Sequence, residues 1–162
     1  MGPIVIAESV NAQDVSWIQK LWSEEWGGAV MVSKGVAYRL DDLEMRLAWI
    51  DGMRVGLITW HKTSEGSEVM SLNALCERKG VGSALLQAVE DDTRYRGGAR
   101  CFLITSNDNL DALRFYQRRG YRIIRVDPGA VDEARRIKPS IPLFGQYGIP
   151  IHDELELEKR WG

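Results

Sequence analysis

Between residues 69 and 104 the hydrophobic period of this chain changes twice, and that change constrains its topology more than any other feature. Residues 69–75 carry the short-period pattern of a strand. At Gly80 the period lengthens to about 3.6. Val81, Ala84, Leu85, Ala88 and Val89 then mark one helical face, and Glu90, Asp91, Asp92 and Arg94 the other. Gly97-Gly98 closes the helix, and Cys101-Phe102-Leu103-Ile104 follows as a near-continuous apolar run suited to a central strand. Strand, helix and buried strand in that order predict a right-handed crossover between parallel neighbours.

The flanks add an antiparallel meander. Met45, Leu47 and Trp49 alternate with Arg46 and Ala48, Asp51-Gly52 is a preferred two-residue hairpin turn, and residues 55–60 return as the partner strand. Thr63-Ser64-Glu65-Gly66 makes the next turn. Upstream, Ile4-Val5-Ile6 reads as a first strand buried on both faces, and Asn11 caps a helix carrying Val15, Ile18, Trp22 and Trp26. Residues 29–42 read as loop with a short helical turn. Downstream, Asp108 is the expected cap of a helix through Leu110, Leu113 and Tyr116, closed by Gly120. A strand over 121–126, a short helix over 128–137, an extended Pro139–Pro150 loop and a final amphipathic strand through Leu155 and Leu157 complete the chain. The expected fold class is α/β (α+β): one mixed, mostly antiparallel sheet with helices on both faces, in one domain spanning 1–162.

Composition narrows the chemistry. The 21 Lys+Arg against 23 Asp+Glu leave no basic excess of the kind nucleic-acid binders gather. No apolar run is long enough to cross a bilayer, and no signal-peptide pattern opens the sequence. Cys76 and Cys101 form no CxxC pair and no His/Cys cluster, which argues against a disulfide framework and a metal site. A reduced, cytoplasmic protein is the expectation.

Glu77-Arg78-Lys79-Gly80-Val81-Gly82-Ser83 lies where a strand gives way to a helix. Helix-start N–H groups lack internal partners and carry partial positive charge, so this loop can cradle a pyrophosphate, with Arg78 and Lys79 strengthening the field. Turn formation explains either glycine equally well. A dinucleotide fingerprint would need glycine where Leu85 stands, and a P-loop would need a Gly-Lys-Ser/Thr ending that is missing.

Asn109, Ala112, Tyr116, Gly120 and Tyr121 follow one helix and one buried strand later as N-x-x-A-x-x-x-Y-x-x-x-G-[YF]. Together with the glycine loop, residues 69–126 resemble the GNAT superfamily of acetyl-CoA-dependent N-acetyltransferases, which carries a [QR]-x-x-G-x-[GA] loop. Glu77 occupies the Gln/Arg position, and the link from Leu75 to Gly80 is shorter than is usual in the family.

The resemblance implies direct transfer of acetyl from acetyl-coenzyme A to an amine, without a covalent enzyme intermediate and without metal. It implies cofactor contacts from Arg78, Lys79, Gly80, Val81, Gly82 and Ser83, a pantetheine bond from Asn109, and an oxyanion donor at a backbone N–H near Leu75. Tyr116 is the implied general acid; packing with Phe115 and Leu113 as a core tyrosine is the competing reading. Glu68 is the best carboxylate for general base, with Asn73 and His61 as rivals, while His152 reads as a surface residue. Cys76 lies beside the implied thioester, but no activating histidine accompanies it, so a ping-pong route is rejected.

The family's acceptor pocket would here be walled by Trp22, Glu24, Glu25 and Trp26 and by the 139–150 loop with Phe144 and Tyr147; Trp26, Asn73 and Tyr147 are the expected substrate contacts. Acid and aromatic side chains would suit a cationic small-molecule amine, although core tryptophans and solvated glutamates explain each residue singly. Family members are often dimers, which suggests a homodimer. The alternative is an acyl-CoA-binding regulatory or scaffold module that has lost turnover.

Overall fold

Asp51 and Gly52 both adopt left-handed backbone, with φ of 49° and 77°, the requirement for a two-residue turn that matches right-handed strand twist. They join β4 (Glu44–Ile50) to β5 (Met53–Lys62), the middle of the predicted meander. The computed structural model describes residues 2–8, 11–26, 30–34, 36–76 and 80–161, with backbone only at 26, 30 and 32.

In chain order the remaining elements are β1 (Val5–Ala7), α1 (Ala12–Trp26), β2 (Val30–Ser33), β3 (Val36–Arg39), β6 (Gly66–Ala74), α2 (Val81–Tyr95), β7 (Arg100–Ser106), α3 (Leu110–Arg118), β8 (Arg122–Asp127), α4 (Ala130–Ile137) and β9 (Glu154–Arg160). Seven strands form one mixed sheet in the order β1-β4-β5-β6-β7-β9-β8, and β2 with β3 makes a separate hairpin. The parallel pair is β6 with β7, joined through α2 as the change of period requires.

One core cluster packs α2 and α3 against the sheet through Leu85, Val89, Leu103, Tyr116 and Leu157. A second packs Ile18, Leu21 and Trp22 of α1 against Leu47 and Leu57 on the opposite face. Helices thus cover both faces. None of the described helices is long and apolar enough to cross a membrane.

Three expectations change. β1 is an edge strand with Val5 54% exposed, not a strand buried on both faces. Residues 30–39 form the β2–β3 hairpin rather than a loop; the expected helical turn is a 3-10 turn at Leu40–Asp42. The cap of α3 is Asn109, whose side chain accepts from the Ala112 N–H, and not Asp108. Asp108 is instead buried, accepting from the Ser106 hydroxyl and from the Gln146 N–H at 2.9 Å. Asn11 does cap α1, in a reciprocal pair with Asp14: the Asp14 N–H donates to Asn11 Oδ1 at 2.9 Å and the Asn11 N–H to Asp14 Oδ2 at 3.1 Å.

Candidate active site

β6 and β7 pair only where residues 66–69 face 100–103. Beyond that point β6 runs on through 70–74 and β7 through 104–106 without pairing, so the two strands open a V-shaped cleft in the middle of the sheet. A bulge marks the vertex. Thr59 faces Ser71 while its neighbour Trp60 faces Val69, leaving Met70 as the extra residue.

The edge of β6 that faces the cleft carries free backbone groups. Leu75 donates its N–H to Val55 O on β5 at 2.8 Å, so that N–H is not open to a ligand in the cleft. Since an antiparallel ladder bonds alternate residues, Asn73 also faces β5, and the N–H and C=O of Leu72 and Ala74 point toward the diverging β7. The edge groups open to the cleft thus shift from Leu75 to Leu72 and Ala74. The shift follows from register, which parity along one strand cannot supply.

At the mouth of the cleft α2 begins on Gly80, whose φ of 105° lies in the left-handed region that favours glycine. Among the described residues no side chain caps that terminus, so first-turn N–H groups can meet an anion. A Cβ at Gly82 would stand 3.1 Å from the Phe115 ring, so this glycine lets α2 and α3 approach. Arg119 stacks on Phe115 at 3.7 Å and donates Nε to Ser83 Oγ at 2.7 Å, which sets a cation beside the α2 terminus. The sequence reading missed Arg119; its spacing of four from Phe115 on α3 was the available signal. Glu77, Arg78 and Lys79 lie outside the described residues.

Asn109 closes the other side of the cleft. Its Oδ1 accepts from the Ala112 N–H at 3.3 Å and from Gln146 Nε2 at 3.2 Å, and its Nδ2 donates to Thr105 Oγ1 at 3.0 Å. The remaining Nδ2 hydrogen can reach a ligand carbonyl, so Asn109 can serve as donor only. Tyr147 is 69% exposed and donates its hydroxyl to Asp111 at 2.8 Å, which puts it on the rim of α3's first turn. Trp22 is a core residue of the second cluster. The Trp26 side chain lies outside the described residues.

Tyr116 sits in the main core, edge-on to Phe115 and Tyr121 with ring centroids at 5.1 and 5.4 Å. Its hydroxyl makes no hydrogen bond among the described residues, and burial raises its pKa well above the ordinary tyrosine value. The phenol therefore keeps its proton at neutral pH. Cys101 is buried too, its thiol pushed up to about 11 mainly by desolvation and hydrogen-bonded to Thr93, which makes it inert as a nucleophile.

Glu68 stands at the vertex, directly across from Phe102 on β7 and His61 on β5. It is 4% exposed, and the Ser33 hydroxyl donates to its Oε2 at 2.5 Å. Burial raises its pKa, opposed by that bond and by Lys34 and His61, and reinforced by Glu156. Farther along β6, Asn73 faces Leu57 of the α1-side cluster, and its buried Oδ1 has no hydrogen-bond partner among the described residues. A carbonyl oxygen left so is an acceptor in want of a donor. His152 is exposed and lies 3.2 Å from Asp132. No group of three or more metal-ligating side chains occurs among the described residues.

Known proteins match this chain in sequence and in fold. The sequence model of the acetyltransferase (GNAT) family matches residues 15–121. The Bacillus subtilis protein YxbD is 41% identical over 143 residues, covering 88% of this chain and 90% of its own. Among solved structures, a Bacillus subtilis acetyltransferase in complex with CoA superposes with a TM-score of 0.68 at 19% identity, covering 98% of each chain. A GNAT family acetyltransferase from Elizabethkingia anophelis with acetyl-CoA bound gives 0.70 at 17% identity, again over 98% of each.

Proposed function

The chain belongs to the GNAT family of acetyltransferases, and on that footing we propose that it moves acetyl from acetyl-coenzyme A directly to the amine of a small molecule. The observation that carries this reading is the opened β6–β7 pair, with a helix start that no described side chain caps at its mouth and a buried carboxylate at its vertex. The residues present suit the cosubstrate. The α2 terminus with Arg119 suits a pyrophosphate, and the edge groups of Leu72 and Ala74 with Asn109 Nδ2 suit the amides of a pantetheine arm.

Acetyl-coenzyme A supplies a thioester already activated toward amines. The chain's part is to hold the geometry, take a proton from the amine and stabilise the departing thiolate. Glu68 takes the proton that frees the amine lone pair, and Asn73 Oδ1 accepts from the amine's remaining N–H. The N–H of Leu72 or Ala74 faces the charge that develops on the thioester oxygen. As the C–S bond breaks, the departing sulfur takes up the proton that the nitrogen sheds on becoming an amide, and the Tyr116 hydroxyl hydrogen-bonds the developing thiolate. A raised tyrosine pKa makes full transfer uphill, so its help comes as a hydrogen bond that strengthens while thiolate charge builds.

A small acceptor is favoured because Glu68 lies beneath the β2–β3 hairpin, where a folded partner could not reach it. Two free cysteines fit a reducing compartment, the cytoplasm.

Two measurements test the reading. Acetyl-coenzyme A at a hundredfold its dissociation constant should add about 2.7 kcal/mol to stability, and NAD should not; no shift in the melting temperature at millimolar acetyl-coenzyme A sinks the assignment. Free thiol should then appear only when an amine is supplied, which separates turnover from mere binding. Tyr116→Phe is expected to lower kcat by about ten- to a hundredfold with acetyl-coenzyme A affinity nearly unchanged. Unaltered kcat would return Tyr116 to a purely structural role.

A further inference from the structure

We infer that Ser33 and Lys34, carried on the β2–β3 hairpin, are positioning residues that keep the Glu68 carboxylate charged and aimed for reaction. The inference rests on Glu68 lying at the reacting end of the cleft, as proposed above. A carboxylate this buried tends to neutralise itself by taking up a proton, and a protonated Glu68 cannot accept one from an amine.

The surroundings of Glu68 decide the matter. From the hairpin, Ser33 donates to Oε2 and Lys34 supplies a favourable positive charge, while Tyr38 lies tilted against His61 with ring centroids 5.0 Å apart. From β5, His61 adds a second favourable field. From β9, Glu156 opposes, and Glu154 feels the like charge of Glu68. Lys34 acts twice in this set. Its ammonium lies 3.0 Å from Glu156 Oε1 and 5.1 Å from the centre of the Phe102 ring, the residue directly across from Glu68. Arg100 binds the other Glu156 oxygen at 3.1 Å. Lys34 therefore attracts Glu68 and also quenches half of the carboxylate that repels it.

The backbone carries a second sign of purpose. Lys34 has a φ of 50°, left-handed backbone that costs a lysine roughly 1 kcal/mol and a glycine almost nothing. A turn under no demand but folding would do better with glycine there. That cost is consistent with a site where local strain is kept because the side chain is needed.

Lys34→Gly separates the two roles, since it relieves the backbone while removing the charge. The full-length protein labelled with 13C at glutamate carboxyls gives the Glu68 titration, assigned by the signal lost in Glu68→Gln. The melting temperature should hold or rise in Lys34→Gly, whereas the Glu68 midpoint should move to higher pH; Ser33→Ala should move it the same way and Lys34→Arg should restore it. Ionised Glu68 is lost as pH falls through its midpoint, so a higher midpoint carries the acid limb of kcat/KM upward. With acetyl-coenzyme A and the fastest amine of a panel, Lys34→Gly should lose about tenfold on the acid side and stay within about twofold on the alkaline plateau. An unmoved Glu68 midpoint in Lys34→Gly overturns the inference, active enzyme or not. Full turnover in Glu68→Gln would instead remove Glu68 from the base role, and the carboxyl titration would still judge the hairpin.

Discussion

Replacing Glu68 by Gln is expected to lower turnover by about two to four orders of magnitude at neutral pH, the usual worth of a positioned general base. Glutamine keeps the shape and can still accept the Ser33 hydroxyl, so the hairpin stays docked. It also removes a charge that burial disfavours and that Glu156 repels, which offsets the new amide N–H groups left without an obvious acceptor. The melting temperature should therefore change little while kcat collapses. The pH dependence sharpens the test. Burial lifts the Glu68 pKa above the ordinary glutamate value, so activity that needs the carboxylate is lost as pH falls through that raised value and is full above it. The residual rate of Glu68→Gln should lack this acid limb. Turnover within threefold of the parent, or an unchanged acid limb, would give the role to another group, with His61 across β5 as the first to examine.

The sequence carried the central topology because each step has a local cause. The change of period at Gly80, the positive φ at Asp51, Gly52 and Gly80, and the apolar run at 101–104 all act within a few residues. What escaped was set by partners distant in sequence. The bulge at Met70 exists only relative to β5, and it decides which residues of β6 face which side. Hence Leu72 and Ala74, rather than Leu75, present their N–H groups to the cleft. The hairpin at 30–39 has no long period to read, and it takes its meaning from Glu68 and Glu156, which it reaches through Ser33 and Lys34. The alternation at 154–158 was read correctly as a strand. Its glutamate face is nevertheless no solvated one: Glu156 is buried and bound by Lys34 and Arg100. Asp108 and Asn109 are both good caps by type, and only the demand of the 138–150 loop for a carboxylate at Gln146 separates them.

The largest effect on stability is expected at Gly66, far from the mouth of the cleft but at the start of the β6–β7 parallel pairing. A methyl group added there would stand 1.8 Å from the Arg100 carbonyl oxygen and 2.9 Å from its carbon. Neither strand can withdraw cheaply. Gly66 donates its N–H to Thr63 Oγ1 at 3.1 Å and accepts from the Thr63 N–H at 2.9 Å, and Glu65 O takes the Ala99 N–H at 2.8 Å. Gly66→Ala must therefore part β6 from β7, at a cost of about 3 kcal/mol or more. For a chain of this size that lowers the melting temperature by roughly 6 to 12 °C. The damage should also travel. Arg100 joins Glu65, Glu156 and Glu158, and Glu156 shares Lys34 with the surroundings of Glu68. A displaced β7 thus loosens the vertex where the proposed reaction brings amine and thioester together, and surviving folded protein should turn over more slowly than its parent. Ser64→Ala, exposed in the same turn, is the control and should stay within about 0.5 kcal/mol. A melting temperature for Gly66→Ala within two degrees or so of the parent would mean that β6 and β7 separate easily, and that the vertex does not hold the reacting groups by rigidity.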